Sequence, residues 1–120
     1  MVSESMQGHI FKPAQVDATD KHVKQLKLPA GFTITKFAEN LNKPRMLAVS
    51  KNNVVYVTDR DKGTVTMLRD NNKDGKAEEK KVVAQKENMH GITIHNNQVY
   101  LVTAHEYFRR LLIQTGAWAL

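Results

Sequence analysis

Asp70-Asn71-Asn72-Lys73-Asp74-Gly75 places oxygen-bearing side chains at alternate positions and closes on a glycine. That spacing, D-x-[DN]-x-[DN]-G, is how a calcium loop begins. Asp70, Asn72 and Asp74 would supply hard oxygen ligands, and Gly75 the sharp turn. Lys81 stands where a bidentate glutamate would complete the shell, and Glu78 offers an oxygen instead. The same residues also make a polar hairpin turn with no ion, because Asn, Asp and Gly all favour turn conformations. The spacing leaves two readings open: weak calcium binding at Asp70, Asn72, Asp74 and Glu78, or a turn alone.

Other chemistries find little support. The chain has no cysteine, which excludes disulfides and thiolate metal sites and leaves the compartment open. His9, His22, His95 and His105 have no ligand-like spacing, and His105-Glu106 is not followed by a second histidine at zinc-site distance. Neither GxGxxG nor GxSxG occurs, and no Ser-His-Asp order is present. The net charge of +6 is spread along the chain, and its densest cluster, Lys76, Lys80 and Lys81, is interleaved with Glu78 and Glu79. No aromatic residues alternate with these lysines, so a solvated basic surface is expected and no nucleic-acid partner. No apolar run is long enough to span a bilayer. Met1 to Phe11 lacks a basic segment followed by an apolar one, so no signal peptide is visible. Either the chain is not exported, or its true start lies upstream.

The elements that would hold such residues follow from a repeat. Asn52-Asn53-Val54-Val55-Tyr56 recurs as Asn96-Asn97-Gln98-Val99-Tyr100, a spacing of 44 residues from Tyr56 to Tyr100. A period in the low-to-mid forties with several short strands per unit is that of β-propeller blades. Strands are expected over 46–49, 54–58, 64–69 and 79–85, separated by Asn-, Asp- and Gly-rich turns, which makes one four-stranded blade. A second, incomplete blade is expected over 90–113 from strands at 92–94, 99–103 and 107–113. Residues 114–120 carry no fourth-strand pattern. Earlier in the chain, Thr19-Asp20 caps a short helix that Pro29 ends, and Phe32, Ile34 and Phe37 suggest a strand over 31–38. The expected class is all-β, a β-propeller fragment with one complete blade and part of a second. Its organisation is an N-terminal extension (1–30), blades (31–113) and an atypical tail (114–120). A self-contained sandwich of about eight strands is the rival that the repeat disfavours. A ring of blades must close to work, so the chain reads as the front of a larger protein. Alone it is expected to be marginal or aggregation-prone, with unpaired faces and edges.

Leu28 to Glu79 and His90 to Thr103 together resemble the N-terminal part of the glucose/sorbosone dehydrogenase family, the soluble quinoprotein sugar dehydrogenases. The matching motifs are Leu28-Pro29-Ala30-Gly31-Phe32, the loop Asn42-Lys43-Pro44-Arg45, the hairpin from Val55 to Val65, and the Asp-rich loop after it. The resemblance implies a six-bladed propeller that oxidises aldose-type sugars. It passes electrons to pyrroloquinoline quinone (PQQ) held with calcium, and on to an electron acceptor. It also implies a periplasmic or extracellular setting. The family's general base and most quinone and calcium ligands lie in later blades, and no position here matches them. What the resemblance assigns to this chain is the pocket rim. His90 precedes the first strand of the second blade, Arg45 holds the equivalent place in the first, and Arg60 sits in a turn expected on the same side. Guanidinium groups there suit a quinone bearing three carboxylates. A structural histidine at His90, a blade-to-blade hydrogen bond from Arg45 and a solvated turn at Arg60 are the plainer alternatives. Tyr56 and Tyr100 repeat with the blade and are expected to pack. A non-catalytic six-bladed propeller that binds a protein or glycan through the same face is the other functional class.

Overall fold

The computed structural model describes residues 8–112 and 118–119. It divides into two units, Met1–Ile34 and Thr35–Leu120. In the first, a single short helix, α1 (Asp20–Lys24), starts after Thr19, whose N–H donates to His22 Nδ1 at 3.3 Å. The helix buries no residue.

The second unit is all-β. Strands β1 (Pro44–Val49), β2 (Val55–Asp59), β3 (Thr64–Arg69) and β4 (Glu79–Gln85) form one antiparallel sheet in chain order. Strands β5 (Met89–His95), β6 (Gln98–Thr103), β7 (Tyr107–Leu112) and β8 (Trp118–Ala119) form a second. Two successive antiparallel meanders are what the 44-residue repeat predicts, the first of four strands and the second incomplete. The first blade and the order of the second follow the sequence reading, with β3 and β4 bounded as expected. The fourth strand of the second sheet was not expected. Two residues of the tail pair with β7, Ala119 opposite Leu111 and Trp118 opposite Leu112.

The turns explain why the strands stop where they do. Asn96 and Asn97 take φ of 47° and 61° between the paired residues His95 and Gln98. Two positive φ values in a two-residue loop match the right-handed twist of the flanking strands, and Asn tolerates them. The equivalent turn in the first sheet is longer. Asn53 sits at φ 60°, its N–H donates to Ser50 O, and Ser50 Oγ accepts from Val54 N.

The main apolar cluster is shared between the two sheets. On β1–β4 the face carrying Ala48, Tyr56, Val65 and Met67 meets the face of β5–β7 carrying Ile92, Val99, Leu101 and Phe108. Tyr56, Val65 and Val99 are completely buried in this shared layer. The two repeated tyrosines therefore differ. Tyr56 packs in the shared core, whereas Tyr100 is half-buried on the opposite face of its sheet and stacks on Tyr107 at 6.1 Å. The opposite face of each sheet leaves apolar side chains exposed, among them Leu47, Val49 and Val82 on the first, where Val57 and Leu68 are nevertheless buried, and Val102, Tyr107 and Leu111 on the second.

The strand expected over 31–38 does not form. Phe32 is 70% exposed and Ile34 46% exposed. A strand needs a ladder, and among the described residues the backbone bonds of 31–38 are a local one from Phe32 N–H to Pro29 O and one from Ala77 N–H to Phe37 O. Hydrophobic alternation without a neighbouring strand leaves the segment extended and unpaired.

Gly63, in the β2–β3 turn, closes against the segment that leaves β4 for the second sheet. Its φ is 65°, its carbonyl accepts from Lys86 N at 2.7 Å, and a Cβ there would lie 2.5 Å from Lys86 O. Gly63→Ala is expected to lower stability by roughly 1–3 kcal/mol from the left-handed backbone alone, with the clash adding to it. A urea melt of the variant reads this directly, and an unchanged midpoint would contradict the close approach.

Candidate functional site

The end of each sheet where its first strand begins is organised by one side chain on the second strand. In the first sheet that residue is Asp59, only 4% exposed. Its Oδ2 accepts from Asn42 Nδ2 at 2.8 Å and Lys43 N at 3.3 Å, and its Oδ1 from Asp61 N at 2.9 Å and Lys62 N at 3.1 Å. One carboxylate thus ties the loop entering β1 to the turn leaving β2. Asn42 reaches it from a left-handed backbone, φ 61°. Burial pushes the Asp59 carboxyl up, but the bonds from Asn42 and the backbone N–H groups of Lys62, Lys43 and Asp61 outweigh it. The net effect holds the group below the usual carboxylate range. Beside it Lys43 pairs with Asp61 at 2.5 Å, and that hydrogen bond raises the Lys43 pKa.

Thr103 does the same job in the second sheet. It is 5% exposed, and its Oγ1 accepts from His105 N at 3.3 Å and Glu106 N at 2.9 Å. An Asp and a Thr at repeat-equivalent positions build the same side-chain-closed turn, two and three residues on. Thr58, completely buried, adds a bond from Met46 N to its Oγ1 at 3.1 Å. None of Asn42, Thr58, Asp59 and Thr103 stood out in the sequence as a site organiser. The repeat carries the one signal that could have found the last two, since both stand three residues beyond the repeated tyrosine.

These anchors place Arg45 and His90 alike. Pro44 pairs with Asp59 and Met89 with Thr103, and in each strand the next residue, Arg45 or His90, lies where the register shifts. Bulges of this kind re-aim side chains and recur beside functional sites. Arg60 follows Asp59 in the β2–β3 turn, so it shares the end of the first sheet with Arg45. The far ends of β1 and β5 come together, with Val49 and Lys51 lining one hollow with Ile94, Asn96 and Asn97. Arg45, Arg60 and His90 therefore lie at the common opposite end of the two sheets. All three are exposed, and among the described residues neither arginine is ion-paired.

The Asp70 loop lies apart from these, between β3 and β4. Carboxylate oxygens of Asp70, Asp74 and Glu78 come within 4.8 Å of one another. Much of their capacity serves the turn. Asp70 accepts from Lys73, Asp74 and Gly75 N–H groups, Asn72 Oδ1 from Asp74 N, and Glu78 from Asn71 N at 2.7 Å. The structure thus brings Asp70, Asp74 and Glu78 together, while Asn72 Oδ1 closes the backbone beside them.

Three comparisons bear on this arrangement. The model of the TrAA12-like family matches residues 26–109. No curated protein matches the chain. Among solved structures, the PQQ-bound form of an aldose sugar dehydrogenase from Streptomyces coelicolor is similar, with a TM-score of 0.50 and 21% identity. The match covers 72% of this chain and 31% of that one, so the chain spans about a third of that enzyme's length. At that identity the likeness bears on the fold.

The Asp59 network makes a pH prediction. Its pKa falls on folding, so the ionised group stabilises the fold at and above the ordinary aspartate range. That contribution is lost as pH drops through the lower folded value. Thermal stability of the parent chain is expected to fall over that acid range, and that of Asp59→Asn, lower at neutral pH, to fall less. Parallel acid limbs for the two proteins would show that Asp59 is not the titrating anchor.

Proposed function

This chain belongs to the TrAA12-like family, and on that footing we propose that it forms the first blades of a quinone-dependent sugar dehydrogenase. The observation that carries the reading is the family match over residues 26–109, which spans both sheets up to β7. The similar enzyme holds PQQ, and the residues here suit such a group. Two exposed guanidiniums without carboxylate partners among the described residues stand at one end of the blades, beside a histidine in the equivalent register of the next. PQQ, when bound, supplies the oxidising centre that takes the hydride from the sugar. Arg45 and Arg60 would bind and orient its carboxylates through charge-assisted hydrogen bonds. His90 would close the rim, its backbone set by the bulge after Met89. The base that takes the sugar's hydroxyl proton would come from later blades. The remaining blades, the sugar and the electron acceptor belong to the same proposal.

The test is activity. Residues 1–120 with PQQ and calcium are expected to give no dye-linked oxidation of aldoses, because quinone binding needs groups converging from around the ring. The complete ring is expected to oxidise aldoses, and Arg45→Gln in it to raise the quinone concentration needed for half-maximal activity about tenfold, the scale of one charge-assisted contact. A complete ring that takes up no quinone would contradict the reading. Turnover by residues 1–120 above the free-quinone background, abolished by His90→Ala, would overturn the division of labour between blades.

Calcium at Asp70, Asn72, Asp74 and Glu78 is part of the proposal as a weak, structural site. Oxygens from these side chains form a hard-ligand set, and its three carboxylates, Asp70, Asp74 and Glu78, already converge. Millimolar calcium is expected to raise the melting temperature of the chain, and Asp70→Ala, which also removes the loop's own hydrogen bonds, to abolish the rise. Equal melting temperatures with calcium and with chelator would reduce the loop to a turn.

A further inference from the structure

A second cleft opens between the sheets, away from the rim. It is lined by Ala84 and Lys86 at and after the end of β4, by Met89 and Leu101 at its floor, and by Phe108 and Arg110 of β7. Its volume is about 270 Å³. β4 is the last strand of the first sheet and β7 the third of the second, so the cleft lies towards the outer strands, whereas Arg45 and His90 sit on the first.

The floor is apolar and dry in character: Met89 is 1% exposed and Leu101 3%. The mouth is cationic. Lys86 Nζ lies 5.6 Å from the Phe108 ring centroid and Arg110 Cζ 6.0 Å from it. The two cations differ in what they already hold. Lys86 is paired with Glu106 at 3.0 Å, whereas the half-buried Arg110 guanidinium donates to the carbonyl of Arg109 and has no carboxylate partner among the described residues. A partly desolvated guanidinium with free donors beside an apolar hollow is complementary to a carboxylate carrying a hydrocarbon body. The volume falls just below the roughly 300–1,000 Å³ of drug-sized sites, which limits the body to about one ring.

We propose that this cleft binds a small amphipathic carboxylate of benzoate size, its ring over Leu101 and Met89 and its carboxylate on Arg110. Phe108 serves both partners, stacking against the ligand ring and holding the Arg110 guanidinium over its own face. Binding needs no quinone and no sugar, and it would add apolar contact across the seam between the sheets.

The test is an NMR titration of the full chain with sodium benzoate and, in parallel, benzamide. Benzoate is expected to give saturable shifts at the Met89, Leu101 and Phe108 signals, with benzamide at least tenfold weaker. Arg110→Gln is expected to remove the preference for the anion, and Arg110→Lys, which keeps the charge, to retain most of it. Equal affinity for benzoate and benzamide would overturn the proposal. So would benzoate shifts confined to Arg45, Arg60 and His90, or the absence of saturable shifts in a chain whose spectrum is otherwise folded.

Discussion

The packing of one sheet on the other depends on one apolar layer that the two share. Ala48, Tyr56, Val65 and Met67 have nothing to pack on within their own sheet, and Ile92, Val99 and Leu101 nothing within theirs. Burial of a single such side chain stabilises by about 1.5–3 kcal/mol, and here each burial requires both sheets to be present and in register. The layer does more than stabilise. It lays β5 beside β1 and β2, so the first strands of the two sheets begin at the same end and turn at the same end. The alignment of Arg45 with His90 is a consequence of that packing.

Local polar anchors then finish the geometry that the core roughs out. Asp59 and Thr103 stand at equivalent places and each closes the turn that follows it by accepting two backbone N–H groups. Asp59 goes further, because its second oxygen holds the loop before β1. A buried carboxylate with four donors is held as the anion, and a buried anion that is fully hydrogen-bonded is rigid. Rigid turns at one end of two blades are the condition for a binding rim, and that is where the family resemblance directs attention.

Much of this was legible in the sequence. The echo of Asn52-Asn53 in Asn96-Asn97 located both meanders, and the left-handed backbone at Asn53, Asn96 and Asn97 is the physical reason those residues recur. Turn chemistry bounded β3 and β4 because Gly63 and the Asp70 loop are strong local signals. The segment around Phe32 and Ile34 misled, since alternation reports a face that wants burial and says nothing about whether a neighbouring strand is there to pair. The pairing of Trp118 and Ala119 was hidden for the converse reason: two residues are too few to show a period. At the rim, Arg45 and His90 were expected just before the first strand of each blade and instead lie within β1 and β5, because the bulges that hold them depend on partners in β2 and β6. Asp59 read as one polar residue in a turn, because its burial and its bonds to Asn42 and Lys43 come from a loop seventeen residues away in the chain.

Native-state hydrogen exchange on the chain tests the shared core most directly. If one layer holds both sheets, the slowest amides of β2, β3 and β6 open together, with a single free energy and the same denaturant dependence. The rim is then held as one piece. Exchange of β5–β7 at unprotected rates while β2 and β3 stay closed would show two independent sheets, and the alignment of Arg45 with His90 would lose its physical basis.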